Sequence, residues 1–343
     1  MIHTGQHYDH DLSGVFFDQL GMRRPDVNLD VGSGKHGQQT ARVLERFEAL
    51  LERGAVDAQR YDRVVVVGDV NSTMAAALAS AKLGIPVAHV EAGLRSFDRS
   101  MPEEINRIVT DSVCDMLFAS EHAGIENLRR EGHPDDQLHL VGNVMIDTLV
   151  ALLPKARSGN VLQDLGLERD KYGVITLHRP SNVDSPEILR PLVDVLVEVA
   201  RSIPMVFPLH PRTRGRLEQF GLSSRLAGAR GLALTAPLGY LDFLGLTSQA
   251  RVIVTDSGGL QEESTALGIP CLTVRFNTER PVTVEEGTST LVGNDPSRLR
   301  AGLDAVLSGT YKRGACPRLW DGHAAERIAA ILAGSVLPVP GGG

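Results

Sequence analysis

Cysteine is scarce. The 343-residue chain has three, Cys114, Cys271 and Cys316, far apart and with no CxxC pair. That argues against a disulfide framework or a zinc ribbon, and no metal site is expected. Cys114 and Cys271 lie in apolar runs and read as small core residues. Aromatics make up only 4% of the chain, too few for an aromatic-rich β sandwich. Positive charge is not in excess: 35 Lys and Arg face 42 Asp and Glu, a formal net charge of −7. A basic nucleic-acid footprint is therefore missing, and an anionic ligand must be met by local donors. No apolar run approaches the roughly 20 residues of a membrane helix. The N-terminal stretch MIHTGQHYDH lacks the basic and apolar regions of a signal peptide. A cytoplasmic protein with neither nucleic-acid nor membrane partners is expected.

Glycine, by contrast, is plentiful (35), and the composition is that of an ordinary globular chain, 42% hydrophobic and 22% charged. Short β-branched runs read as strands buried on both faces: Arg63–Val67, Pro86–Val90, Gly173–Leu177, Met205–Leu209, Arg251–Thr255 and Pro270–Val274. Helical spacing fills the intervals, as in Ser72–Lys82, Glu121–Glu131, Pro186–Ser202, Gly259–Leu267 and Pro296–Leu307. This alternation predicts an α/β protein of parallel sheets with helical crossovers. The number of units exceeds one doubly wound sheet, and the break falls near residues 147–172. Two Rossmann-like domains are expected, 1–149 and 150–322, followed by a disordered tail at 334–343. Ligands of such sheets bind beyond the carboxyl ends of the strands, so a cleft between two domains is the expected site.

Polar residues concentrate where the strands end. Asp69 follows VVVV, and Glu91 follows PVAHV. Glu103 and Glu104 open a helix behind Pro102. Each has a bland reading: a βα turn for Asp69, an ion pair with Arg95 for Glu91, a helix-dipole contact for one of the two adjacent acids. Three such carboxylates in so short a stretch nonetheless suit acid/base chemistry. In the second half, His178 and His210 each follow a strand and precede a break, as residues lining a cleft would. Thr255–Glu263 (TDSGGLQEE) ends a strand in a polar residue and two glycines and then opens a helix. Free N–H groups at Ser257, Gly258 and Gly259 and the helix dipole attract an anion such as a phosphate. Neither GxGxxG nor GxxxxGK[ST] is present, so the segment is neither a dinucleotide fingerprint nor a P-loop. Glu263, one turn on, is placed for sugar hydroxyls, and Arg280 for the same phosphates.

Together the motifs resemble the non-hydrolysing UDP-N-acetylglucosamine 2-epimerase family. The matching pieces are TGQH (Thr4–His7), GDVNST (Gly68–Thr73), HVEAGLR (His89–Arg95), PEEINR (Pro102–Arg107), GN-x-x-ID (Gly142–Asp147), LHRPSN (Leu177–Asn182), HPRT (His210–Thr213), TDSGGLQEE and TERPV (Thr278–Val282). The resemblance implies a GT-B-like fold, two Rossmann-like domains facing a central cleft, with a last helix near 323–333 crossing back to the first domain. It implies Asp69, Glu91 and Glu103 as the acid/base group and His178 near sugar and pyrophosphate. Ser257, Gly258 and Gly259 would hold the diphosphate, Glu263 the ribose, Phe243 the uracil and Arg280 a phosphate, with His210 beside the substrate. The implied chemistry is reversible inversion at C2 of a UDP-sugar by elimination and re-addition of UDP, without a cofactor, in a homodimer.

Two departures stand against the pattern. The family carries a further N-terminal strand, a GTRPE-like turn and a lysine-bearing helix, whereas this sequence opens on the second strand, Met1-Ile2-His3. The expectation is that the true start lies upstream, that two strands lack their shared neighbour, and that the 343-residue form is weakly active. The family's regulatory pattern QHxxM reads Gln6-His7-Tyr8-Asp9-His10, and Leu238 stands where Gln is common. Gln6 and His7 are candidates for a regulatory UDP-sugar site that these changes place in doubt. Rival readings are a GT-B glycosyltransferase, which needs an acceptor, a nucleotide-sugar-binding protein without turnover, and a hydrolysing relative that would release free N-acetylmannosamine.

Overall fold

The computed structural model describes residues 1–5, 21, 23–54 and 61–334. Gln6, His7, His10 and the tail beyond Gly334 lie outside the described residues. The chain divides into two compact units, one formed by Met1–Asn143 with the segment from Ala325 onward, the other by Val144–Ala324. Every strand pairing among the described residues is parallel.

In the first unit, β1 (Ile2–His3) pairs with β2 (Val27–Asn28) in a small sheet of its own. A second sheet runs β3 (Val64–Val67), β4 (Val87–Val90), β5 (Met116–Ala119) and β6 (Leu138–Leu140), in that order. The crossovers are helical: α1 (His36–Arg53), α2 (Asn71–Lys82), α3 (Pro102–Val113) and α4 (His122–Arg130). Helix α1 buries Val43, Phe47 and Leu51, four residues apart and so on one face. Helix α2 buries a run of alanines, Ala75, Ala76, Ala77 and Ala79, whose small side chains allow close packing.

One sequence expectation fails here. The RVVVV run is not buried on both faces: Val65 is 46% exposed and Val67 53%. Among the described strands β3 pairs only with β4. Val64–Val67 and Met1–Thr4 instead line an apolar cavity of about 650 Å³, so the outward valines meet open space instead of a covering layer. Among the described residues the first unit accordingly holds two separate sheets where one doubly wound sheet was expected.

The second unit contains β7 (Gly173–Thr176), β8 (Met205–Pro208), β9 (Leu232–Thr235), β10 (Val252–Thr255), β11 (Cys271–Thr273) and β12 (Ser289–Leu291). Across the sheet they lie in the order β9-β8-β7-β10-β11-β12. The chain starts at the centre, winds outward one way, then returns to β7 and winds the other way. This is the doubly wound order, with its switch point between β7 and β10. The longer helices are α5 (Val144–Arg157), α6 (Pro186–Val199), α7 (Pro211–Gln219), α8 (Tyr240–Thr247), α9 (Gly258–Leu267) and α10 (Pro296–Ser308). Here β8 and β10 are buried throughout, as continuous apolar runs in a covered parallel sheet should be. Ile175, Phe207, Val254 and Leu272 of the strands share one core with Leu189, Leu192 and Leu196 of α6 and Leu299 and Leu303 of α10. Each such side chain contributes about 1.5–3 kcal/mol on burial.

The units part at Asn143, earlier than the 147–172 break in the sequence, because α5 packs within the second unit. Ile146, Leu149 and Ala156 join a cluster with Leu244, Val282 and Trp320. The last helix, α11 (Ala324–Leu332), begins in the second unit, where the Ala324 N–H donates to Asp147 Oδ1 at 3.0 Å, and its remaining residues belong to the first. Cys114 and Cys271 are buried and Cys316 is exposed. Among the described residues no helix is long and apolar enough to cross a membrane.

Candidate active site

In the first unit the candidate residues sit on the segments that follow β3 and β4 and on the first turns of α3. Asp69 follows Gly68, whose φ of +75° turns the chain out of β3. Its carboxylate forms an ion pair with Arg107 of α3, a guanidinium side chain with no exposed surface. Asn106 Nδ2 donates to the Asp69 carbonyl at 2.9 Å and to Asn71 Oδ1 at 3.2 Å, so α3 grips the Asp69 turn through two consecutive residues.

Glu91 follows β4 with φ +71°, a left-handed conformation that costs a non-glycine residue about 1–3 kcal/mol. Such strain persists only where the surroundings enforce it. The enforcement is visible: buried His89 faces Asp111 Oδ1 with Nδ1 (2.6 Å) and the Gly68 carbonyl with Nε2 (2.8 Å), tying the end of β4 to the Asp69 turn. Asp111 Oδ2 accepts the Gly93 N–H at 3.1 Å. Gly93 has φ +78°, and a Cβ there would lie 2.3 Å from the Gly124 carbonyl oxygen, so only glycine fits. The expected Glu91–Arg95 ion pair is replaced by another. Arg95 turns inward to Asp111 (2.6 Å) and Glu131 (2.7 Å), because the buried Asp111 carboxylate needs a cation. Against its desolvation, Asp111 is held below the usual carboxylate range by His89 and Arg95.

The two acids at the start of α3 separate cleanly. Glu104 is 2% exposed and accepts the Ser96 N–H (2.7 Å), the Ser96 hydroxyl (2.9 Å) and the Phe97 N–H (3.1 Å). It is the structural acid. Glu103 is exposed. It lies one turn before Arg107 on the same helix face, and Arg107 carries Asp69.

The second unit gathers its polar groups at the switch point. His178 follows β7 and Asp256 follows β10, with Nδ1 and Oδ1 2.8 Å apart. The His178 and His210 rings lie 5.6 Å apart between centroids. His210 caps α7, its Nδ1 accepting the Arg212 N–H at 3.2 Å, and desolvation together with the neighbouring His178 and Arg212 lowers its pKa. Ser257 caps α9 and Gly258 and Gly259 form its first turn, leaving the helix N-terminus beside the β10 end. A Cβ at Gly258 would come within 3.0 Å of Arg280 Nη1, so glycine leaves room for the guanidinium over the helix start. Arg280 is anchored by Glu262 at 2.6 Å. Its loop is tied to α9 by Thr278 Oγ1 donating to Gln261 Oε1 at 2.9 Å, while Gln261 Nε2 donates to the Ser257 carbonyl at 3.2 Å.

Glu263 is 7% exposed, and burial with Glu262 nearby pushes its carboxyl up to about 7 although Tyr240 bonds it. Tyr240 Oη donates to Glu263 Oε1 at 3.3 Å. Phe243, three residues along α8 from Tyr240, is half-buried against the core that includes Tyr172 and Ile253.

A sequence model described as UDP-N-acetylglucosamine 2-epimerase matches residues 1–333. The chain belongs to this family. A UDP-N-acetylglucosamine 2-epimerase of Methanococcus maripaludis is 40% identical over 98% of this chain and 92% of its own length. The Pseudomonas aeruginosa UDP-2,3-diacetamido-2,3-dideoxy-D-glucuronate 2-epimerase is also 40% identical, over 97% and 90%. A crystal structure of the Methanocaldococcus jannaschii UDP-GlcNAc 2-epimerase in complex with UDP-GlcNAc and UDP superimposes with a TM-score of 0.85 at 41% identity, covering 97% of this chain and 91% of that one. The α/β architecture of parallel sheets is thus that of the GT-B-like epimerases.

Within this family member, the structure brings Asp69 and Glu103 to one face of α3 and brings His178, His210, Ser257, Gly258, Gly259 and Arg280 around one switch point. Sequence reasoning passed over Arg107, Asn106, His89, Asp256, Tyr240 and Asn182, whose Nδ2 donates to Asp256 Oδ2 at 3.0 Å. All six lay in or beside segments already singled out. Helical spacing from Glu103 was the available signal for Arg107; nothing local marks the partners of the others.

Proposed function

We propose that the chain is a UDP-N-acetylglucosamine 2-epimerase, an isomerase that interconverts UDP-GlcNAc and UDP-ManNAc without a nicotinamide. The observation that carries this reading is the family match over residues 1–333; a glycine-opened helix start in one unit and strand-end carboxylates in the other support it.

The C2–H of the sugar is not adjacent to a carbonyl and is weakly acidic. Departure of the diphosphate therefore supplies much of the activation. The C2–H and C1–O bonds break, the C–H electron pair forms the C1=C2 double bond, and UDP leaves with the C1–O pair. In the return step UDP adds back at C1 and a proton arrives at C2 on the opposite face. The N–H groups at the start of α9, Arg280 and His178 suit the charge growing on the leaving group. Asp69, Glu91 and Glu103 are the groups assigned to remove and return the proton. Glu263 holds the ribose hydroxyls and Phe243 lies against the uracil in this reading.

A time course of UDP-GlcNAc in D₂O followed by proton NMR tests it. The expected result is UDP-ManNAc with solvent deuterium at C2 and no free sugar. Epimer with C2–H fully retained, or turnover only when an acceptor is added, overturns it. A second reading changes only the sugar. It is favoured by the Pseudomonas relative named for a 2,3-diacetamido uronate, as similar to this chain as the Methanococcus enzyme. Parallel rates on the two UDP-sugars separate them.

A further inference from the structure

Asp256 is fully buried at the switch point, and its carboxylate gathers an unusual number of donors. Oδ2 accepts the backbone N–H groups of His178 (2.9 Å) and Arg179 (2.9 Å) and Asn182 Nδ2 (3.0 Å). Oδ1 lies 2.8 Å from His178 Nδ1 and 3.2 Å from the His178 N–H. The labour is divided between the two oxygens: one organises the turn after β7, the other faces the imidazole. A buried carboxylate can only accept at that point. His178 must therefore keep a proton on Nδ1, which leaves Nε2 as the nitrogen directed elsewhere. His210, 5.6 Å away, has the opposite arrangement, because its Nδ1 accepts the Arg212 N–H. Its proton when neutral is on Nε2. The two rings are thus locked in opposite tautomers by unrelated partners.

We propose that Asp256 is a positioning residue for the epimerase reaction, fixing His178 with Nδ1 protonated so that Nε2 is presented to the departing diphosphate. The inference rests on the reading of His178 given above. A second proton, taken from solvent onto Nε2, gives an imidazolium that donates to the departing diphosphate and keeps its proton as UDP leaves, while the buried anion behind the ring balances its charge. The arrangement follows the logic by which a buried aspartate orients a catalytic histidine elsewhere in enzymes. Because the same carboxylate also holds the backbone of residues 178 and 179, the ring and its loop move as one body.

The test is a double-mutant cycle. Asp256→Asn keeps the shape but can present an amide N–H to Nδ1, which forces the proton to Nε2. We expect kcat to fall by about 10²–10⁴, with UDP affinity by calorimetry changed less than about threefold and the circular dichroism spectrum retained. In a His178→Gln background the same change is expected to cost less than about twofold, since the residue it acts through is gone. Independently of turnover, ¹⁵N-histidine NMR of the unliganded wild type should show His178 protonated on Nδ1. Losses that multiply in the double variant, UDP affinity falling as far as kcat, or a wild-type His178 with its proton on Nε2 alone would overturn the proposal. If Asp256→Asn does not fold, the wild-type spectrum still decides the tautomer. If the wild type proves inactive on UDP-GlcNAc, that spectrum separates a failed substrate assignment from a failed Asp256 contact.

Discussion

Glu263→Gln isolates the energetic cost of one buried carboxyl. In the unfolded chain this group ionises near the ordinary glutamate value of 4.5; in the fold, burial and the adjacent Glu262 delay ionisation to about 7, against the bond from Tyr240. Folding therefore favours the protonated form. The stability supplied by this group is complete below about pH 4.5 and drains away as the pH rises through about 7. At 1.36 kcal/mol per pH unit, the interval corresponds to about 3 kcal/mol. The glutamine carries no charge at any pH and keeps an acceptor for Tyr240. Its melting curve should match the wild type near pH 4.5 and lie above it at pH 8. At about 2–4 °C per kcal/mol for a unit of this size, the ceiling on the gap is about 6–12 °C. Differential scanning calorimetry of both proteins from pH 4.5 to 8.5, without nucleotide, measures it. Parallel curves, or a gap that widens toward acid, would refute the reasoning. Added UDP should narrow the gap, because ribose hydroxyls donate to the ionised carboxylate and compensate its desolvation.

Other outcomes follow from the contacts. Glu103→Gln should lower kcat by about 10²–10⁴ while leaving the melting temperature unchanged; Glu104→Gln should do the reverse, costing about 1–3 kcal/mol in thermal or urea unfolding, since three donors would lose a charged acceptor. Arg280→Ala should weaken UDP binding in calorimetry by about 1.5–3 kcal/mol, roughly 10- to 150-fold in Kd, with a smaller effect on kcat. Gly93→Ala must drive a Cβ into the Gly124 carbonyl at a positive φ, and urea unfolding should show a loss of at least about 1–3 kcal/mol.

What could be read in advance divides along the physics of each residue. The doubly wound second unit was legible because β8 and β10 are covered on both faces, so their apolar runs are unbroken. The same reasoning misjudged β3: a strand at an open edge can keep four valines in sequence while two of them face a cavity. Asp69, Glu103, His178 and Ser257 were legible because each stands at the end of a strand or the start of a helix, positions fixed by local periodicity. Asp256 was passed over for the opposite reason. It reads as one more polar residue in a glycine-rich turn, and its meaning comes from His178, 78 residues away in the chain. The Glu91–Arg95 pair failed likewise, since a local partner was assumed where the buried charge of Asp111 exerts the stronger claim. Long-range electrostatics of this kind leaves no trace in spacing.

The last helix gives the first unit a peculiar history during synthesis. Residues from Ala325 belong with Met1–Asn143, Arg327 Nη1 bonds the Val141 carbonyl at 3.0 Å, and Ile328 is buried. The ribosome must therefore make all of Val144–Ala324 before the first unit can close. At about 5–20 residues per second, that is a wait of roughly 10–35 s. During it the second unit, continuous in sequence, can make its internal contacts, while the first still waits for its last helix. The half that is begun first is the half that is finished last.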